Sequence, residues 1–160
     1  MIVQSLRLGE IEVPDDKLIY MERPVLGFEN YKQFCLIEVE ELKPLLWLQS
    51  TEEPALAFLV VNPRLFVPKY KIEINSKEIA ELHIEDVTSV ETYVVVTLAA
   101  KPEDMTVNLQ GPILINTENN RGKQLVLVNS EYEVKHKFMH NLQDVLESPV
   151  KEKESIPAGV

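Results

Sequence analysis

The chain has 160 residues, of which 45% are apolar and 26% charged. This composition is typical of one globular domain and excludes a disordered chain, which would contain fewer Val, Leu, Ile and Phe residues. Sixteen basic residues against 26 acidic ones leave a net charge of -10, which argues against direct nucleic-acid binding because phosphates require a basic patch. The single cysteine, Cys35, excludes an internal disulfide.

Alternating and β-branched apolar patterns predict that most of the chain forms strands. Residues 2–9 alternate, and Ile11 and Val13 continue the pattern after a turn that follows Gly9, as in a hairpin entering a sheet. Segments 45–49 and 56–61 are apolar on both faces, which predicts strands covered on both sides. In chain order, the other predicted strands are 18–21, 31–39, 71–74, 91–100, 106–109, 113–116 and 124–128, with a turn-forming loop at 117–123.

Helix signals are sparse. Asn75 and Glu78 form a capping-box pattern, followed by Ile79 and Leu82 at helical spacing. A second short helix is predicted near residues 141–147, before a tail without apolar periodicity. We therefore predict a mostly β fold, a single antiparallel barrel-like or two-sheet domain with one or two short helices. It spans residues 1–141, followed by a short C-terminal helix and a flexible tail over 142–160.

The amino terminus and the apolar runs predict the cellular location. No basic region followed by a long apolar stretch opens the chain, so no signal peptide is predicted. The longest apolar run, residues 55–61, is far shorter than the ~20 residues of a membrane helix. We therefore expect a cytoplasmic protein that does not bind membranes.

The charge is unevenly distributed along the chain. Residues 38–54 carry a net charge of -4 and residues 73–91 a net charge of -5. The segment between them, residues 55–72, carries only Arg64, Lys69 and Lys71. An acidic surface is most often simply solvated, whereas the functional alternative is electrostatic attraction of a basic partner.

Residue types that carry catalysis or bind metals form no convincing pattern. The five glycines do not cluster, which excludes a phosphate-binding loop. Cys35 lies within a predicted strand and is typical of a core residue, and His83 is expected to be partly buried. His136 and His140 have the spacing of two zinc ligands, but no nearby cysteine supplies a third. Because carboxylate pairs can carry out acid–base catalysis, an unrecognised hydrolase stays an alternative function.

The segment 62–70 is a candidate contact region. Its prolines prevent regular strand pairing, while Phe66 and Tyr70 need burial, either internally or against a partner. We take Asn62, Arg64, Phe66 and Tyr70 as candidate anchors. Trp47 is flanked by leucines and fits the core at least as well as a binding site.

Several motifs, in their joint order and spacing, resemble the flagellar assembly factor FliW family. The similarity covers residues 1–138. The motifs are Pro24–Glu29, Trp47–Ser50, Ala57–Pro63, Thr106–Asn116 and Gln124–Leu127. Within them, Gly27 is expected in a turn, Phe28 in the core, and Gln49, Asn108 and Pro112 in fold-forming contacts.

The resemblance implies a small cytoplasmic β-barrel-like protein without catalysis or cofactor. It implies two alternative partners, flagellin and the basic RNA-binding translational repressor CsrA. Once flagellin has been exported, the free protein binds CsrA. This binding relieves the repression of flagellin mRNA translation. The alternative is a dedicated flagellin export chaperone without a CsrA role, capturing a flagellin terminus at an exposed strand edge. Nothing in the sequence requires self-association, so a monomer is expected.

The acidic windows agree with the basic partner CsrA that the resemblance implies. An acidic protein docked on a basic RNA-binding protein weakens the field that attracts phosphates. The candidate CsrA-facing residues are ten of the eleven acids in the two windows: Glu38, Glu40, Glu41, Glu52, Glu53, Glu73, Glu78, Glu81, Glu85 and Asp86.

Overall fold

The computed structural model describes residues 1–23, 25, 27–73, 75–128 and 131–138. Within these residues the chain forms eleven strands, one α-helix and several single-turn 3-10 helices. The strands are β1 (Ile2–Ser5), β2 (Gly9–Glu12), β3 (Leu18–Arg23), β4 (Gln33–Glu38), β5 (Leu46–Ser50), β6 (Ala57–Val61), β7 (Val90–Thr97), β8 (Thr106–Val107), β9 (Ile113–Asn116), β10 (Arg121–Gln124) and β11 (His136–Lys137); the helix is α1 (Ser76–Glu81).

Seven strands close into a barrel in the order β3-β4-β5-β6-β7-β9-β10. All neighbours pair antiparallel except β3 and β10, which are parallel and complete the ring. β8 and β11 extend the sheet beyond β7, and β1 with β2 forms a separate hairpin. The mostly β, barrel-like prediction is therefore confirmed.

The barrel interior is filled by alternate side chains of six strands. β10 has Gly122 at the inward position opposite Met21 and Ile115. A Cβ on Gly122 would lie 2.9 Å from the Met21 sulfur, so the interior has no room for a side chain there. The apolar cluster comprises Ile19, Met21, Val25, Phe34, Leu46, Leu48, Val60, Tyr93, Ile113 and Ile115.

Three further apolar clusters cover the outside of the barrel. The largest lies over β5, β6 and β7 and includes Trp47, Phe66 and Tyr70. α1 and the residues after it cover β9, and the β1–β2 hairpin covers β4. β5 and β6 are thus covered on both faces, as their sequences predict.

Several predicted elements differ from the structure. Residues 71–73 form no strand; instead, Ile72 packs against the outer clusters, and Ile74 lies outside the described residues. β10 is Arg121–Gln124 rather than 124–128, because Gly122 and Lys123 belong to the sheet and not to the turn. β7 ends at Thr97, before the predicted end at residue 100.

α1 begins where the capping pattern predicts. The Asn75 side-chain oxygen accepts a hydrogen bond from the Glu78 amide at 3.0 Å. Leu82 is buried, but Ile79 is partly exposed. His83 is exposed rather than partly buried, and its φ of 52° places it in the left-handed region just after the helix. The predicted helix at 141–147 lies outside the described residues. In the described part of the chain, no helix has the length and apolar content needed to cross a membrane.

Candidate partner-binding surfaces

The first acidic window is divided between the two ends of the barrel. Glu38, Glu40 and Glu41 lie at the end where β4 finishes, whereas Glu52 and Glu53 lie beyond the far end of β5. A five-residue strand such as β5 spans about 17 Å. The second window follows β6 and precedes β7, so it belongs to the same end as Glu41. A single acidic patch therefore cannot contain all ten candidate acids.

Glu52 and Glu53 stabilise the loop in which they lie. The Glu52 carboxylate accepts hydrogen bonds from the backbone amides of Lys32 at 2.7 Å and Gln33 at 2.8 Å. The Glu53 carboxylate accepts one from the Ala55 amide at 3.2 Å. Hydrogen bonds to a charged acceptor are stronger than neutral ones, so both acids have a structural role.

Glu38 and Glu40 share one cation. Lys43 Nζ lies 2.6 Å from a Glu38 oxygen and 3.0 Å from a Glu40 oxygen. The hydrogen bonds to Glu38 and then Glu40 raise the pKa of Lys43 above its ordinary value. A basic partner at these two acids would therefore have to displace Lys43.

Two acids of the second window are bound to a buried lysine. Lys123 is only 1% exposed, and its Nζ lies 2.6 Å from a Glu81 oxygen and 3.3 Å from a Glu78 oxygen. These ion pairs join α1 to β10. The prediction that Glu78 and Glu81 face a basic partner is therefore corrected, because they already neutralise Lys123 inside the protein.

The remaining acids of the second window are more accessible. The Asp86 carboxylate accepts hydrogen bonds from the Thr88 hydroxyl and amide, which lower the pKa of Asp86. Glu73 and Glu85 are exposed, as is Glu41 of the first window. Within the described residues none of these three glutamates forms an ion pair. Among the ten candidate acids, these three are the exposed ones with neither an ion pair nor a carboxylate hydrogen bond in the part of the chain that the structure describes.

Three of the four candidate anchors in segment 62–70 are buried inside the protein. The Tyr70 hydroxyl donates a 2.6 Å hydrogen bond to the Leu109 carbonyl, and burial raises the pKa of Tyr70. Phe66 packs in the outer cluster, and the Asn62 side chain accepts from the Arg64 amide at 2.9 Å. The prediction that Asn62, Phe66 and Tyr70 are surface anchors is therefore wrong. Of the four candidate anchors, only Arg64 is exposed.

The histidine and tryptophan candidates are packed against aromatic or cationic groups. His136 stacks on Phe66, with ring centroids 6.1 Å apart, and its Nε2 is buried without a hydrogen bond. His140 lies outside the described residues, and within those residues no group of three or more His, Cys, Asp or Glu side chains could bind a metal. Trp47 is buried beneath the Arg7 guanidinium, 4.8 Å from its ring.

Four of the motif residues have identifiable local roles. Gly27 has φ 89°, as a turn requires, and Gln49 Nε2 donates to backbone carbonyls including those of Ser50 and Leu56. The Asn108 side chain accepts a hydrogen bond from the Gln110 amide at 3.0 Å. Phe28 is 38% exposed and contacts Phe58 edge-to-face, so its expected place in the core is corrected.

Cys35 is fully buried, and desolvation raises its pKa to about 11. We therefore expect its thiol to react with a disulfide reagent at pH 8 at least about 100-fold more slowly than free cysteine. The folded state favours the protonated thiol. Stability should therefore be lost as pH rises from the ordinary pKa of 9.0 towards 11.

The reactivity of the Cys35 thiol is checked by following its reaction with the disulfide reagent by absorbance, with and without urea. The pH dependence of stability is checked by urea unfolding of the wild type and Cys35→Ala at pH 8 and pH 10.5. The free energy of unfolding should therefore fall more between pH 8 and pH 10.5 in the wild type than in Cys35→Ala. Rapid reaction in the native state would show that Cys35 is accessible and would contradict the prediction.

Residues 2–138 match the family model described as FliW protein. The chain belongs to the FliW family. The flagellar assembly factor FliW of Alkaliphilus metalliredigens is 38% identical over 92% of this chain and 91% of its own length. That of Thermoanaerobacter pseudethanolicus is 39% identical over 90% of this chain and 97% of its own length. A crystal structure of the flagellar assembly factor FliW superimposes with a TM-score of 0.80 at 34% identity, over 86% of this chain and 96% of that chain.

Proposed function

We propose that this FliW-family protein is a non-enzymatic regulator that acts in the cytoplasm by exchanging two protein partners. In the proposal it binds the repressor CsrA, relieves repression of flagellin mRNA translation, and is withdrawn from CsrA when it binds flagellin. Membership of a flagellar assembly family supports the proposal. The observation that carries its CsrA part is the set of exposed, unpaired carboxylates Glu41, Glu73 and Glu85.

Electrostatics supply the physical reason. In a chain of net charge -10, three unpaired acids on loops at one end of the barrel attract a basic protein and accelerate its encounter. Asp86 lies at the same end and is also exposed, so it extends the same negative surface, whereas the charge of Glu40 is partly offset by Lys43. Docking this surface on an RNA-binding protein opposes the field that attracts RNA phosphates.

Charge reversal tests the proposed acidic surface. We expect the triple variant Glu41→Lys, Glu73→Lys and Glu85→Lys to slow association with CsrA at low salt by about tenfold or more. The association rate is measured by stopped-flow mixing with fluorescently labelled CsrA at low and high salt. The difference from wild type should shrink at high salt, because ions screen exposed charges.

A matched triple variant separates local charge from net charge. Glu103, Glu131 and Glu133 are exposed acids outside the two acidic windows, and reversing all three changes the net charge equally. This control should slow association much less. Equal slowing by both triples would contradict a localised surface, and unchanged rates for both would show that the charge argument is wrong.

The alternative is a flagellin export chaperone without a CsrA role. It is distinguished by titrating CsrA and flagellin separately into the protein, and CsrA into the preformed flagellin complex. Binding of flagellin alone, with no binding of CsrA at either salt concentration, would establish the alternative. Binding of both, with CsrA excluded by flagellin, is the result expected from partner exchange.

A further inference from the structure

The β1–β2 hairpin is a two-stranded sheet that pairs with no strand of the barrel. It covers β4 with Val3 and Val13, which are buried in one cluster with Cys35. One face of the hairpin is therefore packed, and among the described residues neither of its outer edges has a neighbouring strand. A free strand edge presents amide and carbonyl groups to which another extended chain can bond.

The peptide groups of β2 that point away from β1 are those of Glu10 and Glu12. The Val13 amide donates to the Met1 carbonyl at 2.8 Å, and the Met1 nitrogen donates to the Val13 carbonyl at 2.8 Å. Hydrogen-bonded pairs alternate along an antiparallel ladder, so the odd-numbered residues of the hairpin bond across it. Glu10 and Glu12 lie between those pairs and therefore direct their amides and carbonyls outwards.

The outer edge of β2 is open, whereas that of β1 is partly closed. On β1, the outward amide of Leu6 donates to the Pro54 carbonyl at 2.9 Å. On β2, neither the amide nor the carbonyl of Glu10 or Glu12 forms a hydrogen bond within the part of the chain that the structure describes. Both residues are exposed, so solvent reaches this edge. The edge of β2 therefore offers donors and acceptors to an added strand.

The solvent face of β2 carries two carboxylates. Glu10 and Glu12 are two residues apart in the strand, so their side chains share the face that points away from the barrel. Among the described residues neither carboxylate forms an ion pair. Like charges directly opposite each other destabilise a strand pair, so this edge disfavours pairing with β2 of a second copy of the chain. Basic side chains opposite the two glutamates would instead be attracted.

We propose that the outer edge of β2 binds an extended protein segment that pairs antiparallel with it and places a lysine or arginine opposite each of Glu10 and Glu12. In a hydrogen-bonded antiparallel pair, the two opposed residues exchange both backbone bonds, and their side chains lie on one face. The backbone of the segment supplies affinity, and its two basic side chains supply selectivity. The added strand also converts a two-stranded hairpin into a more stable three-stranded sheet.

This inference goes beyond the proposed function. The edge of β2 lies outside both acidic windows, and it requires a short extended segment rather than the folded surface of a basic protein. Recognition depends on the backbone of the segment as well as on its charge. Binding at this edge therefore requires neither CsrA nor the acidic surface formed by Glu41, Glu73 and Glu85.

Titration of isotope-labelled protein with the peptide acetyl-Ser-Lys-Val-Lys-Ser-amide tests the proposal. We expect saturable shifts of backbone amide NMR signals centred on Glu10 and Glu12, with slower amide hydrogen exchange at both residues. Charge attraction alone would not slow this exchange, because it leaves the amides in contact with water. The same peptide N-methylated at both lysines keeps its charge but loses two amide donors, so it should bind about tenfold more weakly or less.

A pair of substitutions tests the contribution of charge. Glu10→Gln combined with Glu12→Gln should weaken binding about fivefold, because two cross-strand charge pairs are lost. Glu131→Gln combined with Glu133→Gln is the matched control. These two acids are exposed and have the same spacing, but the Glu133 carbonyl already accepts a hydrogen bond from the Leu109 amide. The control should leave the affinity unchanged.

The proposal would be overturned by the absence of saturable shifts at millimolar peptide, by shifts centred elsewhere, or by equal binding of the N-methylated peptide. An affinity unaffected by the double substitution in β2 would also overturn it. Shifts at β2 that grow with protein concentration, without peptide, would show that a second copy of the chain occupies the edge instead. None of these outcomes bears on CsrA binding, so the two proposals fail separately.

Discussion

Replacing Lys123 with Met should lower the free energy of unfolding by about 3 kcal/mol. The Lys123 ammonium is 1% exposed and is the shared partner of Glu78 and Glu81, which are partly buried on α1. Without it, two carboxylates one helical turn apart repel each other beside an apolar surface. The loss is measured by urea unfolding, with the fluorescence of the single tryptophan, Trp47, as the probe.

Two further variants make the Lys123 measurement decisive. Lys101→Met removes an exposed cation and should change stability by less than about 0.5 kcal/mol. Adding Glu78→Gln and Glu81→Gln to Lys123→Met should restore much of the loss, because the two carboxylates then no longer repel each other beside an apolar surface. A loss below about 1 kcal/mol for Lys123→Met alone would mean that the ion pairs do not stabilise α1 on the barrel.

The second large effect is expected for Gly122→Ala, which should destabilise the protein by about 2 kcal/mol. The added Cβ would lie 2.9 Å from the Met21 sulfur and 3.1 Å from the Leu114 carbonyl oxygen. The methionine side chain can move, but the carbonyl belongs to a barrel strand and cannot move without disturbing its pairing. Urea unfolding monitored by far-UV circular dichroism measures the loss.

A double-mutant cycle with Met21→Ala assigns the effect of Gly122→Ala to the barrel interior. Met21 is completely buried, so Met21→Ala alone leaves a cavity and should also destabilise the protein. Combined, the two changes should cost less than the sum of the single changes, since the new methyl group enters the vacated space. Strict additivity would show that Met21 does not limit the space at Gly122.

Local pattern predicted much of the fold. β4, β5 and β6 were predicted to within two residues, and the cap at Asn75 was located correctly. A hairpin within residues 2–13 was also predicted, but its turn lies at residues 6–8 rather than after Gly9. These features depend on neighbouring residues in the chain, so their signals are local. The predicted position of β10 was wrong because Gly122 and Lys123 are residue types typical of a turn. In the structure both lie in the sheet, Gly122 against the filled barrel interior and Lys123 in buried ion pairs with α1.

The candidate site was less predictable because it depends on which charges meet in space. Glu78 and Glu81 belong to the same acidic window as Glu73 and Glu85, yet only the first two contact Lys123, more than forty residues away.

The sequence by itself determined the fold class, the family and the excess of negative charge, since composition, periodicity and motif order are properties of the chain alone. Only the tertiary structure decided which acids form ion pairs and which aromatic residues are buried. The physical reason is that ion pairing, burial and strand pairing join residues distant in sequence, and the closure of the barrel by β7 with β9 and by β3 with β10 determines which of them meet.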